Sequence, residues 1–187
     1  SKPMSIAIDR NRIAELTARE AARLDERTRA SKDTYERARV HLSGGVASSY
    51  QLRDPWPIYI AKGDGPLVWD VDGNQMWDFH NGFGSMVQGH AHPAIGAAIN
   101  RRYPEGTHFG CPTEDDIYVA DELARRWGLP KWRYTNSGSE ATMDAIRIAR
   151  GLTGRDTVLK IFGSYHGHHD TVMVSIGVEY DKIGDRD

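Results

Sequence analysis

Downstream of residue 92 the sequence alternates between apolar residues at helical spacing and short β-prone runs, a pattern that few architectures accept. A helix is predicted over 94–103, with Pro93 suited to its first turn. A second is predicted over 115–127, with Thr113 as its cap and Asp116 as the reciprocal partner, stopped by Gly128 and Pro130. Residues 131–135 read as a strand. A strong helix follows over 140–150, with Ala141, Ala145, Ile146, Ile148 and Ala149 as its apolar face and Gly151 as its stop. Residues 158–162 read as a strand and 172–174 as another. Strand–helix–strand order predicts an α/β body with a largely parallel sheet. Such a sheet normally has five or more strands, whereas two or three precede the polar run 180–187. The expectation is a large α/β domain cut short.

Upstream the pattern differs. Ile13, Leu16, Thr17, Ala21 and Leu24 make a thin apolar stripe on a charged surface helix within residues 9–30. Ser43-Gly44-Gly45 ends the helical region, and Pro55 and Pro57 exclude helix there. Three extended runs then follow, over 58–61, 67–70 and 75–79. The turns between them carry Gly63-Asp64-Gly65 and Asp72-Gly73-Asn74, which predicts a small antiparallel meander. Residues 1–80 are read as one segment and 81–187 as the start of the large domain.

Composition removes whole classes of function. Lys and Arg total 24 against 26 Asp and Glu, a net charge of −2, which lacks the basic excess of a nucleic-acid binder. No run approaches the roughly 20 apolar residues that cross a bilayer. The N-terminal arginines alternate with Asp9, Glu15, Glu20, Asp25 and Glu26, unlike an acid-poor transit peptide. Cys111 is the single cysteine, so no intrachain disulfide forms and a cytoplasmic location is expected.

Three segments carry candidate chemistry. In Thr135-Asn136-Ser137-Gly138-Ser139-Glu140 an expected strand turns sharply into a helix. Free N–H groups at a helix start favour a phosphate by about 1–2 kcal/mol, and Gly138 and Ser139 suit its approach. The same residues also fit an ordinary Ser N-cap, and the Lys of a P-loop is missing. In the segment 162–170, His166, His168, His169 and Asp170 raise a metal site, but their spacing matches no familiar zinc pattern and no metal is expected. The other reading sets the face of Tyr165 against a flat ligand, with His166 beside it. In the segment 81–93, Gly82 and Gly84 lack the third glycine of a dinucleotide loop. A loop over a cleft, with structural His90 and His92, is expected instead.

Taken together, Asn136-Ser137-Gly138-Ser139-Glu140-Ala141, Ile146-Arg147-Ile148-Ala149-Arg150-Gly151, Thr153-Gly154-Arg155 and Tyr165-His166-Gly167 resemble the class III pyridoxal-phosphate aminotransferases. Asp70-Val71-Asp72-Gly73-Asn74, Gly89-His90-Ala91-His92-Pro93 and Gly110-Cys111-Pro112-Thr113 look most like the glutamate-1-semialdehyde aminomutase branch. The resemblance runs over about residues 42–175. It implies fold type I, with a large α/β domain, a smaller domain built partly from residues 1–80, and a homodimer with active sites at the interface. It implies pyridoxal 5'-phosphate as cofactor, with Ser137, Gly138 and Ser139 at the phosphate, Tyr165 stacked on the ring and His166 beside it. Ser48 and Phe83 would lie near a small amino or keto substrate.

Two positions depart from the branch. Gln51 stands where the aminomutases usually carry an Arg for the substrate carboxylate, with Arg53 two residues on, and Phe83 replaces a frequent Trp or Tyr. A neutral amide does not replace a bidentate guanidinium. The Schiff-base Lys and the Asp that holds the pyridinium nitrogen fall later in the family order. None of Lys2, Lys32, Lys62, Lys131, Lys160 and Lys182 has the expected context. The reading is therefore the N-terminal part of a longer transaminase or aminomutase, inactive by itself. The rivals are a non-catalytic phosphate- or cofactor-binding domain complete at 187 residues, and a metal hydrolase on the histidine cluster.

Overall fold

Local capping chemistry accounts for most helix boundaries in the computed structural model, which describes residues 9–177. These residues fall into two units, one ending at His108 and one beginning at Phe109. Ser1-Lys2-Pro3-Met4, Lys182 and the polar run 180–187 lie outside the described residues.

In the first unit Asp9 caps helix α1 (Arg10–Arg27), its Oδ1 accepting from the amides of Asn11 and Arg12 at 3.0 Å each. Leu16 and Leu24 on its thin stripe are half-buried. The chain breaks at Thr28, whose buried hydroxyl donates to the Leu24 carbonyl at 2.6 Å and accepts from Trp56 Nε1 at 3.0 Å. Helix α2 (Arg29–Ala38) starts at once, and its cap comes from far along the chain. The Asp72 carboxylate accepts from the amides of Ala30 and Ser31 at 2.6 and 2.9 Å.

Asp72 sits in the predicted meander of β1 (Ile60–Asp64), β2 (Leu67–Asp70) and β3 (Gln75–Trp77), antiparallel in that order. Lys62 faces Trp69 and Val68 faces Met76. The β2–β3 turn is built around buried Asp70, whose carboxylate accepts from Asp72 N, Asn74 N and Asn74 Nδ2 at 2.7–3.1 Å. Asn74 also exchanges hydrogen bonds with Arg27, tying the turn to the end of α1. Burial pushes the Asp72 carboxyl upward, but bonds from Ala30 and Ser31 outweigh it and hold the group below its usual value. Helix α3 (Pro93–Arg102) begins at Pro93 as expected, with His92 Nδ1 accepting from Ala94 N.

In the second unit α4 (Glu114–Trp127) carries the expected Thr113–Asp116 capping box and ends at Gly128, whose φ is +70°. Helix α5 (Gly138–Thr153) is longer than the predicted 140–150. Gly151 lies inside it, and Gly154, at φ +66° with its N–H on the Arg150 carbonyl, is the residue that stops it.

The strands expected at 131–135, 158–162 and 172–174 are not formed among the described residues. A parallel strand exists only through ladder bonds to neighbours, and in this unit none pairs with these segments. Residues 172–174 instead turn, with the amides of Val172 and Met173 donating to the His169 carbonyl. Val172 is 4% exposed while Leu159 is 98% exposed, and the apolar side chains Ile117, Ile148 and Leu152 are also open. No helix of the described residues is long and apolar enough to cross a membrane.

Candidate functional site: the start of α5 and the loop seated on it

The first four N–H groups of a helix have no partner inside it. At α5 the Ser137 hydroxyl takes one of them, accepting from Glu140 N at 3.2 Å. The Glu140 carboxylate turns back to accept from Asn136 N at 2.6 Å. The residue that caps is therefore Ser137, in the extended conformation, while Ser139 stands within the first turn. The amides of Gly138 and Ser139 are left at the positive end of a 16-residue helix. A Cβ built on Gly138 would meet nothing within 4 Å, so a ligand has open access to the backbone there. Two amides with two adjacent hydroxyls suit an oxyanion such as a phosphate.

A second segment is seated on this turn. Gly167, at φ +114°, brings the loop so close that His168 N donates to Ser139 Oγ at 2.9 Å. One turn further along α5, Thr142 Oγ1 lies 2.6 Å from the His166 carbonyl and 3.1 Å from His169 Nε2. Tyr165, 65% exposed, stands three residues before His168, whose amide makes the contact with Ser139. The His166 ring turns onto its own loop, with Nε2 3.0 Å from Ser164 Oγ. Ser137, Gly138, Ser139, Tyr165 and His166 are accordingly brought into one neighbourhood. Sequence reading missed Thr142, Gly167 and His169 as its organisers, since the signal lies in contacts 24 to 29 residues apart. Among the described residues no three His, Cys, Asp or Glu side chains group as metal ligands.

Ser48 and Phe83 belong to the first unit. Ser48 caps a short 3₁₀ turn over Ser49–Gln51 reciprocally with Gln51, whose Oε1 accepts from Ser48 N at 3.2 Å. The Arg53 guanidinium donates to the carbonyls of Tyr50 and Leu52. Phe83, at φ +56° and 73% exposed, meets Tyr50 edge-on at 5.3 Å and His80 at 4.2 Å. An open cavity of about 730 Å³ is lined by Leu42, Val46, Tyr50, Gln51, Tyr59 and His80 among others. His90 Nε2 lies 2.7 Å from Asp78 Oδ2. The Asn81 amide and this His90 contact hold the Asp78 carboxyl below its usual value.

The same arrangement of elements occurs in solved structures. A glutamate-1-semialdehyde aminomutase from Pseudomonas aeruginosa PAO1 superposes with a TM-score of 0.79 at 36% identity, covering 87% of this chain and 36% of that one. A transaminase solved with PLP bound superposes at 0.71 and 37% identity, covering 78% and 34%. The helices and meander are thus part of a fold type I domain. The sequence profile of aminotransferase class III matches residues 49–183, and the chain belongs to that family. Glutamate-1-semialdehyde 2,1-aminomutase of Methanocaldococcus jannaschii is 43% identical over 148 residues, which are 79% of this chain and 35% of that protein. The chain spans about a third of the length of the curated relatives it matches.

Proposed function

We propose that this chain is part of a pyridoxal-phosphate-dependent enzyme that moves an amino group, as a transaminase or as a 2,1-aminomutase of the glutamate-1-semialdehyde type. The observation that carries this reading is the seating of the 163–169 loop on the first turn of α5, with the Gly138 and Ser139 amides open beside it. When bound, pyridoxal phosphate supplies an electron-withdrawing ring that stabilises negative charge at the substrate Cα. The chain's own residues bind and orient. Gly138 and Ser139 amides, with the Ser137 and Ser139 hydroxyls, hold the phosphate. The Tyr165 ring stacks on the pyridine, His166 lies beside it, and Ser48 and Phe83 border a small amino or keto substrate.

Residues 1–80 are assigned to the smaller domain and 81–187 to the first part of the large one. The enzyme is a cytoplasmic homodimer with the active site at the interface, and takes no nucleic acid. The reacting Lys and the ring-nitrogen Asp belong to other parts of the enzyme. Lys160 here is engaged by the Val174 carbonyl, and Lys2 and Lys182 lie outside the described residues. A non-catalytic binding domain is less favoured, because the likeness to the aminomutases and transaminases continues along the chain rather than stopping at the phosphate cup.

The test is the visible absorption spectrum of the full-length enzyme with pyridoxal phosphate, before and after an amino donor, alongside intact mass. A visible band that the donor removes supports the reading, and borohydride reduction with peptide mapping then locates the Lys. Absence of any protein-bound band after incubation with saturating cofactor and removal of the unbound excess refutes it.

A further inference from the structure

The hydroxyl of Thr142 is a three-way junction. A helical Thr ordinarily turns its hydroxyl to a carbonyl three or four residues back, and Ser139 O is indeed 3.1 Å away. The shorter contact, 2.6 Å, is to the His166 carbonyl, 24 residues along the chain. One hydroxyl has one proton to give. A carbonyl only accepts, so that proton goes to His166, and His169 Nε2 at 3.1 Å must then be the donor into Thr142 Oγ1. The peptide that follows is held too, because His168 N donates to Ser139 Oγ at 2.9 Å. Two successive peptides after Tyr165 are thereby pinned to two turns of one helix, and the Ser139 hydroxyl proton is left for an anion.

The geometry points to Thr142 as a positioning residue, oriented by His169, that sets the distance between the Tyr165 ring and the phosphate cup of α5. This rests on the reading that the cup holds the phosphate and Tyr165 the ring. Thr142 itself touches neither. A ring and a phosphate on one rigid ligand need both holders at a set spacing, and preorganising that spacing raises affinity by removing an ordering cost at binding.

The test uses the full-length enzyme with Thr142→Val, which keeps the shape and loses the hydroxyl, and Thr142→Ser, which keeps it. Two readouts are taken: the dissociation constant of pyridoxal phosphate from the apoenzyme, by fluorescence titration, and hydrogen exchange at the His168 amide. Thr142→Val is expected to bind about five- to tenfold more weakly and to exchange faster at His168, with Thr142→Ser within about twofold of wild type. His169→Ala is expected to weaken binding similarly, and to add little to Thr142→Val. Wild-type affinity and exchange in Thr142→Val overturn the proposal. Equal impairment of the Val and Ser variants also overturns it, since packing and not the hydroxyl would then matter. If Thr142→Val does not fold, His169→Ala decides by the same two readouts. A wild-type enzyme that binds no pyridoxal phosphate sinks the functional reading instead, and His168 exchange then decides the clamp alone.

Discussion

Gly167 approaches Ser139 so closely that a Cβ on Gly167 would stand 2.7 Å from the Ser139 Cα and 2.9 Å from its Oγ. The first obstacle is backbone, which cannot swing aside. The φ of +114° is also strained for any L side chain. Gly167→Ala should lift the loop from α5, weaken pyridoxal phosphate binding at least tenfold and speed His168 exchange. Gly154→Ala is the control, since φ is +66° there but nothing lies within 4 Å. It should cost about 1 kcal/mol of stability and leave cofactor affinity unchanged. Equal cofactor loss in both variants would show that strain alone is being read.

Ser137 and Ser139 have separable duties. Ser137→Ala removes the α5 cap and should destabilise by about 1 kcal/mol. Ser139→Ala removes the acceptor of His168 N and, on the proposed reading, a donor toward the phosphate. The cofactor dissociation constant should therefore rise more in Ser139→Ala, by about tenfold, and competition by inorganic phosphate should weaken in parallel. A reversed order would reassign the phosphate contact.

Asp72 gives a pH signature. Its folded-state pKa is depressed, so its contribution is present above the unfolded value, about 3.9, and is lost as pH falls through the folded one. Asp72→Ala should loosen the Ala30 and Ser31 amides by about 1 kcal/mol at pH 7. Hydrogen exchange, referenced to peptide rates, should show that difference shrinking toward pH 3. A difference independent of pH would mean the carboxylate charge is irrelevant to the cap.

Gln51 tests the substrate side. It borders the cavity beside Tyr50 and His80 and presents no charge. In the full-length enzyme Gln51→Arg should raise kcat/KM for carboxylate-bearing substrates such as glutamate-1-semialdehyde by about tenfold, mostly through KM, because a charge-assisted hydrogen bond contributes about 1.5–3 kcal/mol. No change in the ratio between carboxylate and uncharged amine substrates would remove Gln51 from the substrate site.

What was legible in the sequence was what is decided within a few residues. The Thr113–Asp116 box, Pro93 at the start of α3, the Gly128 stop and the Asp72-Gly73-Asn74 turn all act over one to four residues. The family motifs around Ser137, Gly138 and Ser139 and around Tyr165 and His166 were equally visible. Tertiary structure decided the rest. Gly151 read as a stop, but the helix ran on to Gly154, where the left-handed conformation is adopted. Residues 131–135 and 158–162 have strand composition and no strand, because a ladder requires a partner that composition does not supply. Asp72 caps a helix some 40 residues earlier, and Thr142 reaches His166 24 residues later. Hydrogen bonds of that separation leave no periodicity or spacing in the chain, so only the folded backbone, bringing donor to acceptor, reveals them.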